Sequence, residues 1–145
     1  MARSIVHEVD YPHPPERVWR ALTDPQQIGQ WLMATDFKAV VGAKYEMRAK
    51  PMPGWRGLVE GEVLEVVPQR KLVYTWLGNE KGPLTTVTWE LTPTATGTRL
   101  KLTHSGFAGL RGFIAYNALK GGWGKKILRE GLPSVLAGKP VPSVH

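Results

Sequence analysis

The stretch Pro14–Trp31, PPERVWRALTDPQQIGQW, reads as two short helices in succession, and its place near the start of the chain decides the architecture. Pro14 and Pro15 suit a first helical turn, where the missing N–H has no intrahelical partner to lose. Val18, Ala21 and Leu22 then share one face, while Glu16 and Arg20 stand at the i,i+4 spacing of a surface pair. Asp24 is placed to cap a second helix, with Pro25 at its first position and Gln27 where a capping box needs it, and that helix ends near Trp31. No other segment before residue 105 has a helical period.

Strands surround this pair. Before it, Ile5, His7, Val9 and Tyr11 alternate with Val6, Glu8 and Asp10. After it, Tyr45, Met47 and Ala49 alternate with Lys44, Glu46 and Arg48. Trp55–Val67 sets Val59, Gly61 and Val63 against Glu60 and Glu62, then changes phase at Leu64, which predicts a bulge and a bend. Lys71–Leu77 and Thr85–Thr92 flank the polar turn 78–83. Leu72, Tyr74 and Trp76 form one apolar-leaning phase of the first of these and Val73, Thr75 and Leu77 the other. Val87, Trp89 and Leu91 share a face of the second, and Leu100, Leu102 and His104 share a face of a last strand. A terminal helix is expected from about Phe113 to Leu136, with Leu119, Trp123, Ile127 and Leu132 as its apolar stripe. Its glycines each cost about 1 kcal/mol relative to alanine, and Pro133 should kink or restart it near Gly131. Close approach to the sheet is expected at Gly121–Gly122. Six or seven antiparallel strands with one apolar face, covered by a helix of about 24 residues, define an α+β fold. The tail Gly138–His145 has little to bury and is expected to fray.

At 145 residues and 42% hydrophobic content the chain makes one core, placed in residues 1–138. With no cysteine, disulfides and thiolate metal sites are excluded. No signal-peptide pattern and no run of about 20 apolar residues is present, so a soluble cytoplasmic protein without a membrane span is expected. The net charge of +7 is uneven. Residues 1–98 balance, whereas Arg99, Lys101, Arg111, Lys120, Lys125, Lys126, Arg129 and Lys139 face only Glu130 in the rest. Such a face is either a solvated helix surface or a guide for anionic partners.

The segments 14–31, GLVEGEVLEVVPQRKLVYTW (57–76), TTVTWELTPTATGTRLKLTHSGF (85–107) and GGWGKKILREGL (121–132) together resemble the SRPBCC (START/birch-pollen-allergen-like) superfamily, and within it the branch related to the activator of Hsp90 ATPase. The resemblance implies a helix-grip fold with a cavity between the sheet and the terminal helix. It does not imply one activity, since relatives include small-molecule carriers, cyclases, receptors and co-chaperone domains.

Function therefore rests on the inward residues. Tyr45, Met47, Trp55, Val59, Trp76, Trp89, Leu100 and Leu102 are the candidate wall, and Phe113, Tyr116, Leu119 and Trp123 the candidate roof. Tyr45, Tyr116 and His104 are the candidate hydrogen-bonding groups. His7 and His104 both fall on inner faces, where they could form an anchor or an acid/base pair; one hydrogen-bonded core histidine and one loop histidine is the plainer alternative. No HExxH, inward carboxylate cluster, glycine-rich phosphate loop or nucleophile motif is present, so no catalytic residue, metal or cofactor is assigned. No exposed aromatic–basic interleaving supports nucleic-acid binding. The expected function is non-enzymatic binding of an aromatic or acyl small molecule by a monomer or homodimer. The alternatives are a co-chaperone-like module with a chaperone partner, and a polyketide cyclase/aromatase-like or hydrolase activity.

Overall fold

In a computed structural model, residues 3–138 are described; the tail expected to fray, residues 139–145, lies outside the described residues. The chain runs β1 (Arg3–Tyr11), α1 (Pro15–Thr23), α2 (Pro25–Trp31), β2 (Ala34–Thr35), β3 (Lys44–Arg48), β4 (Leu58–Val67), β5 (Lys71–Leu77), β6 (Leu84–Pro93), β7 (Thr98–Phe107), α3 (Gly109–Gly121), a π-helical segment (Gly122–Gly131) and α4 (Leu132–Leu136). The seven strands form one antiparallel sheet in the order β1-β7-β6-β5-β4-β3-β2. Each hairpin neighbour in sequence is thus a neighbour in the sheet, and β1 closes on β7 from the other side of the chain.

The helix pair forms as its sequence dictates. Asp24 accepts a 2.9 Å bond from the Gln26 N–H, and Arg20 meets Glu16 at 3.4 Å on the surface. Val18, Ala21, Leu22, Ile28 and Trp31 are buried. The Trp31 indole N–H donates to the Ala21 carbonyl at 2.7 Å, which ties α2 to α1. Arg17 spans from Gln27 to the Val135 carbonyl at 2.6 Å, holding α4 against the pair.

Along the sheet the period of two sorts the side chains. Leu72, Tyr74 and Trp76 of β5, Val87, Trp89 and Leu91 of β6, and Leu100, Leu102 and His104 of β7 all lie buried on the concave face. The register of β4 against β5 shifts between Val63 and Glu65, so Leu64 is the extra residue of a bulge. Gly61 has a different reason. A Cβ there would stand 2.6 Å from the Tyr45 hydroxyl, which passes over β4 to donate to the Thr75 carbonyl at 2.5 Å.

The structure corrects two boundaries: β4 starts at Leu58 rather than Trp55, which only bridges Met52, and the terminal helix starts at Gly109 rather than Phe113. The terminal helix also differs in winding. Gly122–Gly131 is π-helical, with i→i+5 bonding that widens the turn. The buried place after Trp123 therefore falls on Leu128, five residues on, while Ile127 is only half-buried. The Tyr11 hydroxyl donates to the Leu128 carbonyl at 2.5 Å and pins this segment to β1. A helix restarts after Gly131, as expected: α4 begins at Leu132, and Pro133 sits in its first turn, where its missing N–H is tolerated. The expected close approach also moves. A Cβ on Gly122 would meet nothing within 4 Å, whereas one on Gly124 would stand 2.9 Å from the His7 ring. The surroundings of Gly121 lie outside the described residues.

Candidate functional site

The concave space divides into a filled half and an open half. In the filled half, Trp31, Trp89 and Trp123 stack edge to face in sequence, with ring centroids 5.9 and 5.7 Å apart. Beside them Phe37, Tyr45 and Tyr74 form a second aromatic triangle, and the Trp89 N–H donates to the Tyr74 hydroxyl at 2.9 Å. Burial pushes the Tyr45 and Tyr74 phenols above their ordinary range, so they stay neutral.

His104 lies at the border of the two halves and is fully buried. Its Nδ1 accepts the Trp123 indole N–H at 3.1 Å, which leaves the proton on Nε2 to donate to Thr85 Oγ1 at 2.7 Å. Thr85 in turn donates to the Trp76 carbonyl at 3.0 Å. Burial pushes the imidazole down to about 3, so it is neutral at physiological pH. The His7–His104 pair considered from the sequence does not form: both nitrogens of His104 are engaged, and His7 pairs across from Leu102 with its ring against Gly124.

The open half lies between β4, β5 and α3. Two adjoining spaces of about 470 and 410 Å³ share Met33, Met52, Trp55, Trp76, Ala118 and Leu119 as a common wall. The first extends over the loop Ala49–Pro53 to Gly122, Trp123 and Ile127. The second extends to Val59, Thr85, Phe107, the turn residues Asn79 and Pro83, and Arg111 and Ile114 on α3. The helix leaves this room because its sheet-facing positions Arg111, Ala115, Ala118 and Gly122 recur at helical spacing and most are small. Gly112 sets the angle of entry, since a Cβ there would lie 2.5 Å from the Phe107 backbone.

Of the residues expected from the sequence, Trp55, Val59, Trp76, Leu119 and Trp123 border this cleft. Tyr45, Met47, Trp89, Leu100, Leu102 and His104 are buried in the packed half and do not border it. Phe113 faces outward from α3, with the Arg3 guanidinium 5.0 Å from its ring, while Tyr116 is half-buried edge to face on Phe107 at 6.0 Å with Lys120 5.5 Å from its ring; neither borders the cleft. Sequence reasoning missed Met33, Met52, Pro83, Arg111, Ala115 and Ala118. The small-residue spacing Ala115, Ala118, Gly122 was a visible signal for α3; the loop residues had none.

Buried side-chain nitrogen and oxygen atoms among the described residues all have partners. No group of three or more histidine or acidic side chains that could hold a metal comes together among the described residues. No helix there is long and apolar enough to cross a membrane. The polar side chains at the cleft are Thr85, Asn79, Lys50 and Arg111.

A curved seven-stranded sheet, a helix pair after its first strand and a long helix across its concave face define an α+β helix-grip domain of the SRPBCC type. The chain belongs to the activator of Hsp90 ATPase homolog 1-like family, whose model matches residues 12–136. A crystal structure of a protein from Mesorhizobium loti is similar, at 38% identity and a TM-score of 0.83, covering 96% of this chain and all of that one. CalU16 from Micromonospora echinospora is similar at 26% identity and a TM-score of 0.77, over 97% of this chain and 78% of that one. DynU16, a protein in the dynemicin biosynthetic locus, is similar at 28% identity and a TM-score of 0.77 over 94% of this chain, which spans about half of DynU16. Among curated proteins there is no match.

Proposed function

We propose that the protein binds a hydrophobic small molecule, aromatic or acyl, in the cleft beneath α3 and performs no chemistry on it. The observation that carries this is the contrast in lining: rings and thioethers of Trp55, Trp76, Met33 and Met52 face a space that the small residues of α3 leave empty. Its volume suits a ligand of drug or fatty-acyl size. His104 supports binding over catalysis, because a neutral imidazole pushed down to about 3 is a weak base and reaches the cleft only through Thr85. Trp55, Val59, Trp76, Leu119 and Trp123 would give the stacking surface. Titration of tryptophan fluorescence with acyl and naphthyl compounds should saturate at micromolar concentrations, and Ala118→Trp should abolish the change while leaving the fold intact by circular dichroism. A flat titration across the whole panel sinks the proposal.

The family description favours one second reading, a protein-interaction module with a chaperone partner. It predicts a complex with an acidic chaperone surface that weakens steeply with salt, and no complex at low salt removes it.

A further inference from the structure

We propose that the ligand of this cleft is an amphipathic anion, an acyl or aryl acid whose apolar body fills the space under α3 and whose carboxylate is held by Arg111. This rests on the reading of the cleft as a binding site. Among the described residues two ionic side chains border the joined spaces, and both are cations: Lys50 at the end near the Ala49–Pro53 loop, and Arg111 at the other end. No aspartate or glutamate among the described residues lines either space. Both side chains are exposed at the mouth of the cleft, so a cationic guest would meet like charge, an uncharged one would gain nothing from either, and an anion would be attracted by both.

Arg111 is the better holder. It stands in the first turn of α3, on the same helical face as Ala115 and Ala118, so its guanidinium is carried by a regular element. Lys50 sits on a loop outside any strand or helix. Arg48 is paired with Glu46, Arg56 with Glu60, and Arg99 with Asp10 at 2.9 Å, and none of these borders the cleft. Arg3 and Lys120, the other cations beside α3, lie over aromatic rings on its outer side. Arg111 joins no ion pair among the described residues. Its planar fork matches a carboxylate with two parallel bonds, which an ammonium cannot do. The first turn of α3 has no acidic residue and its cap residue Ala108 offers no side-chain acceptor, so the positive end of the helix dipole adds to the same site. Thr85 and Asn79 border the same space and supply further polar contacts.

The test compares decanoate, decanol and decylamine, each below its aggregation limit, and in parallel 1-naphthaleneacetate, 1-naphthaleneethanol and 1-naphthylmethylamine, by tryptophan fluorescence and calorimetry. The acids should bind about tenfold more tightly than the alcohols, the amines most weakly, and added salt should weaken the acids alone. Arg111→Gln should bring the acids down to the alcohols without moving the alcohols or the melting temperature, and Lys50→Gln should keep most of the preference. Equal binding of acids and alcohols, or an acid preference that survives Arg111→Gln, overturns the anion assignment while leaving the cleft as a binding site. A preference abolished by Lys50→Gln alone overturns the role of Arg111. Failure of all six compounds to bind overturns this proposal and the binding reading beneath it together.

Discussion

Two halves of the same concave sheet face meet the same terminal helix, yet one is solid and the other open. Under the π-helical segment and α4, Trp123, Leu128, Leu132, Val135 and Leu136 fill the space down to Trp89 and Trp31. Under α3 and its junction with the π-helical segment, Ala115, Ala118 and Gly122 stand at the corresponding places and two apolar spaces remain. The sheet beneath carries large aromatic residues in both halves. The difference is therefore set by the helix: side-chain volume at a few helical positions divides support from site. Stability and binding should separate along the same line.

The largest effect belongs to the filled half and to acid. His104 is neutral in the folded protein, where burial pushes it down to about 3, and takes up a proton near pH 6.5 when unfolded. The unfolded state then binds more protons between those values, so this contribution is complete above about pH 6.5 and is lost as pH falls toward 3. At about 1.4 kcal/mol per unit it amounts to roughly 4 to 5 kcal/mol. Urea unfolding across that window should steepen accordingly, and His104→Gln should flatten the curve; an unchanged curve in that variant breaks the assignment. Next, Trp123→Ala should cost about 3 to 5 kcal/mol, since it opens a void and strips Nδ1 of His104 of its donor. A cost below about 1 kcal/mol would show that the filled half is not close-packed. Smaller again, Tyr74→Phe leaves the Trp89 indole N–H without its acceptor and should cost about 1 to 3 kcal/mol in the same assay. The smallest change in stability is expected in the open half: Ala118→Leu should shift unfolding by less than about 1 kcal/mol yet weaken ligand binding at least tenfold. If instead it destabilises like a core substitution, the space is a packing fault and the contrast between the halves fails.

Much of this was legible in the chain. The alternation of Val87, Trp89 and Leu91 and of Leu100, Leu102 and His104 places each residue on its face, because a strand has period two whatever it pairs with. Asp24 and Pro25 mark a helix start for equally local reasons. The phase change at Leu64 marks a bulge because two consecutive apolar positions cannot both point inward. The site was less legible. Phe113 and Tyr116 read as roof because they are large and apolar, but Phe113 lies on the outside against Arg3 and Tyr116 packs on Phe107 instead. The residues that make the space are small, and Met33, Met52 and Pro83 come to it from loops with no period to read.

By itself, then, the sequence determined the order of elements, the inward faces of β1, β3, β6 and β7 and the family to which Pro14–Trp31 points, while the two apolar phases of β5 were sorted only by the sheet. Only the tertiary structure decided where the interior is full. A void is a difference between what two facing surfaces supply, and Ala118 on α3 and Trp76 on β5 lie far apart in the chain. It also decided that His104 is held between Trp123 and Thr85 rather than turned to the cleft, because a histidine's role is set by the partners that reach its two nitrogens.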